Sequence, residues 1–353
     1  MLSCPHSSDR VQWIDAMRGF SMLLVVFGHV LILGMDVYGS FLNFILICFR
    51  MPLFFFVSGF FSYRVQCWWS RDRVADILKR KFQAQIFCTV LFFALYCFYI
   101  GERPDFSLGF GGYWFTIVLF QMYIVYLVCS MVSRVLCHDI VIPLLVIAAI
   151  ISTLILGFHV GRDLWLWDFL NWKNLMKYFQ FFAAGIICAK YKNAFFKLLN
   201  NNIFILISVL GWIALVILQY TDWYRPVFPV LYYGIYGTVL RYCALFTVII
   251  MFYGCRDFFA QNSRCSNWMC FIGQRTLDLY MIHFFLIPDL HWMSPFLSAG
   301  NMVIIQLLLA GIVTALITVV SLLISSILRR SSLLESFLFG VKHRIISDKP
   351  TLD

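Results

Sequence analysis

A chain of 353 residues that is 62% hydrophobic and only 12% charged cannot dress a soluble domain in polar side chains, which takes about a quarter of charged residues. The composition excludes a soluble enzyme and a nucleic-acid-binding module and indicates an all-α, polytopic membrane bundle. The net charge of +10 is spread over short segments between apolar runs, where it sets orientation in the bilayer. The twelve cysteines show no CxxC pair or zinc-like spacing and read as small buried apolar residues.

Apolar windows of about 17 to 25 residues predict ten transmembrane helices, near 16–35, 41–62, 84–100, 113–133, 140–157, 177–190, 203–220, 232–254, 275–290 and 302–328. The sixth and ninth are short enough to be tilted, broken or partly re-entrant. The first lacks a small-residue cleavage site and is too long for a signal peptide, so it reads as an uncleaved span. Basic residues follow the even-numbered spans: Arg64 to Lys81, Arg134, Lys190 to Lys197, Arg256 and Arg264, then Arg329 and Arg330. This alternation places both termini in the cytoplasm. One domain covers 1–353, with the motif-bearing region at about 10–328 and a short cytoplasmic tail at 329–353. Tyr113-Trp114 and Trp165-Leu166-Trp167 at the outer ends, and Trp68-Trp69 at the inner, fit interfacial aromatic belts. A sugar platform is the alternative for the tryptophans near 165.

The first span carries Arg18 and, eleven residues later, His29. At about 100° per residue this interval returns both side chains to nearly one helix face, roughly 16 Å apart. An ionisable group within a span is a functional candidate, and a neutral imidazole is a good general base; the alternative is a packed histidine bonded to a carbonyl. Asp15, three residues before Arg18, either pairs with it or favours the helix N-terminus.

Span two carries Arg50 at a depth close to that of His29, where a fixed cation orients a substrate or stabilises developing negative charge, or else bonds carbonyls freed by Pro52. Gly59 permits close helix approach. Arg71 to Lys81 is placed to meet phosphates at the cytoplasmic face, although topology alone also calls for positive charge there. Asp278 and His283 in span nine, five residues apart, do not share a face; Tyr280 and His283 either line an acceptor path or pack.

Two motifs on adjacent spans carry a resemblance: Asp15-Ala-Met-Arg18-Gly19 leading to His29, and Met51-Pro-Leu-Phe-Phe-Phe-Val-Ser58-Gly59-Phe60. Together with Lys79-Arg80-Lys81-Phe82, Tyr113-Trp114-Phe115, Phe181 to Gly185 and Leu279-Tyr280-Met281-Ile282-His283, they make the chain resemble the acyltransferase-3 family of integral membrane acyltransferases across about residues 10 to 328. The resemblance implies transfer of an acyl group, usually acetyl, from cytoplasmic acyl-CoA to a hydroxyl of an extracytoplasmic or lipid-linked carbohydrate. It assigns His29 to catalysis with Arg18 as its partner; the reading of the residues themselves adds Asp15 to the catalytic group, Arg50, Ser58, Tyr280 and His283 to substrate binding, and Arg73, Lys79, Arg80 and Lys81 to the acyl-CoA phosphates. Acyl-CoA serves as co-substrate, and neither a bound cofactor nor a metal is required.

The chain departs from the family's pattern in two places. Relatives often carry two arginines three apart, whereas Gln83 follows Arg80 at that spacing, and often have histidine where this chain has Arg50. The expected setting is the bacterial inner membrane. A transporter or flippase for a glycan or lipid intermediate is the rival reading, against which the two halves show no internal repeat.

Overall fold

The computed structural model describes residues 11–64, 71–104, 110–158, 164–220, 229–261, 263–298 and 302–339. Trp68, Trp69 and the tail from residue 340 lie outside the described residues. The described chain is helical, without strands. The first elements are α1 (Gln12–His29), α2 (Phe41–Ser62), α3 (Arg71–Lys81), α4 (Cys88–Tyr99), α5 (Trp114–Val135), α6 (Val141–Gly157) and α7 (Trp172–Lys190). They are followed by α8 (Lys192–Leu199), α9 (Asn202–Tyr220), α10 (Pro229–Gly254), α11 (Arg264–Gln274), α12 (Thr276–Ile282), α13 (Val303–Leu328) and α14 (Ser332–Phe339).

Six helical stretches are long and apolar enough to cross a bilayer: Gln12–Gly34, Phe41–Ser62, Arg73–Tyr99, Gly111–Val135, Ile235–Gly254 and Val303–Leu328. The α8–α9 pair, bent by 69°, makes a seventh if it counts as one span. Val141–Gly157 and Thr276–Leu286 are shorter apolar helices. The helix predicted at 177–190 begins at Trp172, and the one predicted at 84–100 is the continuation of α3. The stretch predicted at 275–290 is α12 followed by a 3-10 turn, His283–Leu286. Helix α2 continues through Pro52.

Along α13 the pattern of burial is the reverse of a soluble helix's. Helix α13 turns Gln306, Thr314, Thr318, Ser321 and Ser325 inward, while Ile304, Leu308, Ile312, Leu316, Leu323 and Ile327 are exposed. Small and polar side chains pack the helices together, and the apolar face is left for lipid.

Two close crossings set the frame of the site. A Cβ on Gly59 of α2 would fall on the Phe182 carbonyl of α7, and one on Gly185 of α7 on the Phe56 carbonyl of α2. Likewise a Cβ on Gly19 of α1 would meet the Met269 carbonyl of α11, and one on Gly273 the carbonyl of Asp15. The backbones therefore touch, as small-residue crossings in membranes allow. Above the α2–α7 crossing, Phe54 and Phe55 pack on Phe115, with ring centroids 4.6 and 4.8 Å apart, and Tyr178 stacks on Phe55 at 5.4 Å.

Candidate active site

His29 is the last α-helical residue of α1, and the chain continues as one π-helical stretch, Val30–Gly34. Such stretches recur at functional sites because they break the regular carbonyl ladder. His29 stays half-buried in an otherwise buried neighbourhood. Its Nδ1 lies 2.9 Å from Nε2 of His283, and Nδ1 of His283 lies 2.9 Å from the carbonyl oxygen of Leu279. A carbonyl oxygen only accepts, so Nδ1 of His283 carries a proton and, in the neutral ring, Nε2 is an acceptor. Nδ1–H of His29 therefore donates to it, and the lone pair of neutral His29 is left on Nε2. The rings are within 4° of parallel, with centroids 5.2 Å apart. That separation is set by the nitrogen–nitrogen contact, not by face-to-face stacking. Among the described residues Nε2 of His29 has no hydrogen-bond partner.

His283, fully buried, is held by the turn that opens α5. Tyr280 donates its hydroxyl to the Gly112 carbonyl at 2.7 Å and accepts from the Phe115 amide at 3.1 Å, and Tyr113 donates to the Met281 carbonyl at 3.0 Å. Phe284 packs on His29, His283 and Tyr113 at 4.9, 4.1 and 4.5 Å, and a Cβ on Gly112 would fall on its ring. Tyr113 is therefore a core residue of the site, not part of an interfacial belt. Trp165 is exposed but Trp167 is buried.

A cavity opens below the histidines, in two contiguous hollows of about 390 and 360 Å³ that share Arg18, Ser58, Arg80, Lys81 and Gln85. The first is also lined by Ser62, Arg64 and Tyr123, and the second by Phe54, Phe115, Thr276 and Tyr280. Four cations thus stand at one end, with Lys81 Nζ 4.0 Å from the centre of the Tyr123 ring. The other end is aromatic and finishes at Tyr280, whose ring is 5.9 Å from that of His283. Lys81, like His29, ends an α-helix at a π-helical stretch, here Phe82–Phe87.

The residues singled out in the sequence divide accordingly. Arg18, Ser58, Arg80, Lys81 and Tyr280 line the cavity, and His283 is bonded to His29. Arg73 and Lys79 are exposed on α3 outside this lining. Asp15 is buried where α1 meets α11. Arg50 is buried with its Nη1 in the notch left by Gly28, where a Cβ would collide with it. Arg64, Gln85 and Tyr123 were not singled out. Gln85 shares a helical face with Lys81 by spacing, but Arg64, just past the end of α2, has no periodicity to reveal it. Asp278 faces away from the histidines and accepts from Arg329 Nε and Nη2, each at 2.8 Å.

A lipid-facing helical bundle that holds a histidine with an open lone pair beyond a cationic cavity has the make-up of a membrane enzyme for group transfer. The chain belongs to the acyltransferase-3 family: the family's acyltransferase domain matches residues 11–328. It is thus a membrane acyltransferase. No curated protein and no solved structure matches it.

Proposed function

We propose that the protein is an O-acetyltransferase that moves acetyl from acetyl-CoA onto a hydroxyl of a cell-envelope or lipid-linked carbohydrate. In this reading it is a single ten-span domain of the bacterial inner membrane, with both termini, and the tail from residue 329, in the cytoplasm. The observation that carries the proposal is the cavity that runs from four cations to Tyr280, whose ring lies 5.9 Å from that of His283, the hydrogen-bond partner of His29.

Coenzyme A brings phosphates, and Arg18, Arg64, Arg80 and Lys81 supply the charge-assisted donors that phosphates require. Arg73 and Lys79 would attract the ligand from farther away. The thioester then extends between Ser58, Phe54 and Phe115 toward Tyr280. With Nδ1 committed to His283, Nε2 of His29 takes the proton of the acceptor hydroxyl as its oxygen forms a bond to the thioester carbonyl carbon. When the intermediate collapses the carbon–sulfur bond breaks, and the proton on Nε2 passes to the departing thiolate. The products are the acetyl ester and free coenzyme A. Asp15 and Arg18 are placed to hold α1 and the donor in register, and Arg50 to act on negative charge beside His29.

Mass comparison of envelope carbohydrates from cells with and without the protein tests the proposal. An acetyl ester that appears only with the protein is expected. Identical profiles, with unmodified carbohydrate merely changing sides of the membrane, would favour a flippase instead.

A further inference from the structure

Arg50 differs from the other arginines inside the bundle. Arg241 donates through Nη1 to the Gly237 carbonyl at 2.9 Å, and Arg275 and Arg329 converge on Asp278. Arg50 is only 8% exposed, its Nε and Nη1 are sealed from solvent, and among the described residues it has neither a hydrogen bond nor an ion pair. An unpaired guanidinium in an apolar interior is among the costliest arrangements a membrane protein can keep. Nothing suggests an accident of packing, because Gly28 leaves the notch that Nη1 fills. Gly28 directly precedes His29, and Arg50 is near enough for its charge to act on that ring.

The phosphates of coenzyme A do not account for this cation. They have their own donors in Arg18, Arg64, Arg80 and Lys81, and Arg50 is not in the lining of that cavity. Nor does a tetrahedral oxyanion suffice, since it exists only during turnover and leaves the charge uncompensated in every bound ground state. A ligand with a permanent negative charge compensates it on binding, and a guanidinium is a strong charge-assisted donor to a carboxylate or a phosphate.

We propose that the acceptor is anionic, with a carboxylate or phosphate group that accepts from Arg50 while the hydroxyl to be acylated lies at Nε2 of His29. The inference rests on the reading of His29 as the transfer centre and narrows its substrate class. A neutral sugar would leave Arg50 unpaired. An acidic sugar would supply a carboxylate, and a lipid-linked one a phosphate.

The test is ligand binding to the full-length protein in a neutral detergent, with coenzyme A at saturation to occupy the cationic cavity. The probes are glucuronate against glucose, and dodecyl phosphate against dodecanol. We expect one anion to bind at least about tenfold more tightly than its neutral counterpart, and Arg50→Gln to abolish the difference. Preference for glucuronate identifies an acidic sugar; preference for dodecyl phosphate identifies a lipid-linked phosphate. Equal binding of both anions and their neutral counterparts would overturn the inference, as would an unchanged preference in Arg50→Gln. Should that variant fail to fold, Gly28→Ala, whose methyl group displaces the guanidinium, must abolish the preference instead. The assay involves no acetyl transfer, so loss of the preference leaves the transferase reading standing, and absence of transfer leaves the binding result standing.

Discussion

His29 acquires its chemistry from what is done to its other nitrogen. A histidine whose Nδ1 is unassigned presents either tautomer, and only one of them offers Nε2 as a base. The Leu279 carbonyl fixes the proton of His283, and His283 in turn fixes that of His29. This is the logic by which a second residue orients a catalytic imidazole, with histidine in place of the more usual carboxylate. On the proposed function His283 is a positioning residue and not the substrate contact expected from the sequence. Replacement by alanine should lower kcat for acetyl transfer by about a hundredfold or more while KM for acetyl-CoA stays near its starting value. Steady-state kinetics in isolated membranes measures both, and an unchanged kcat would contradict the role. The pair was hidden in the sequence because its members stand 254 positions apart, beyond any periodicity. What could be read was that each was an ionisable group inside an apolar stretch.

At the scale of elements, both ends of the site rest on α-helices that give way to π-helical stretches. Lys81 is the last residue of α3 before Phe82–Phe87, and that stretch is clamped from outside by α14. Gln83 donates to the Ser336 carbonyl at 2.8 Å, Phe87 packs on Phe337 at 5.0 Å, and Arg329 donates to Glu335 at 2.7 Å. The same Arg329 grips Asp278, so α12, α13 and α14 are tied together near the cationic end of the cavity. In the proposed mode Lys81 contacts the donor and not the reacting carbon, so Lys81→Gln should raise KM for acetyl-CoA by about tenfold with little change in kcat. The loss corresponds to one charge-assisted contact. Acetyl-CoA titrations on membranes read this directly, and an unaltered KM would remove Lys81 from the phosphate site. Hydropathy showed α12 and α13, but α3 was read only as a basic segment and α14 merely as tail. The π-helical junctions were hidden as well, since a one-residue change in the hydrogen-bond ladder leaves no compositional trace.

For the whole molecule, the apolar windows fell on α1, α2, α4 to α7, α9, α10, α12 and α13 but missed α3, α8, α11 and α14, and the glycine of the Ser58-Gly59 motif pointed to a close crossing. Hydropathy failed where function interrupts it. The segment from Thr276 carries Asp278, Tyr280 and His283 and is split between α12 and a 3-10 turn, while Trp172–Lys190 begins with lysines at 173 and 177. Aromatic residues misled in the same way: Tyr113 lies in the sequence like a belt residue, but its hydroxyl and ring hold the segment that carries His283. The cavity residues are far apart in the sequence and come together only because α1, α2, α3, α5 and α12 surround one cavity, whose Tyr280 end lies beside His283.

That convergence is the central claim, and it is tested most directly by supplying labelled acetyl-CoA to membranes containing either the native protein or His29→Ala. The account predicts label on carbohydrate with the native protein and loss of transfer in the variant, with acetyl-CoA still bound at the cationic cavity. Full transfer by His29→Ala would contradict it.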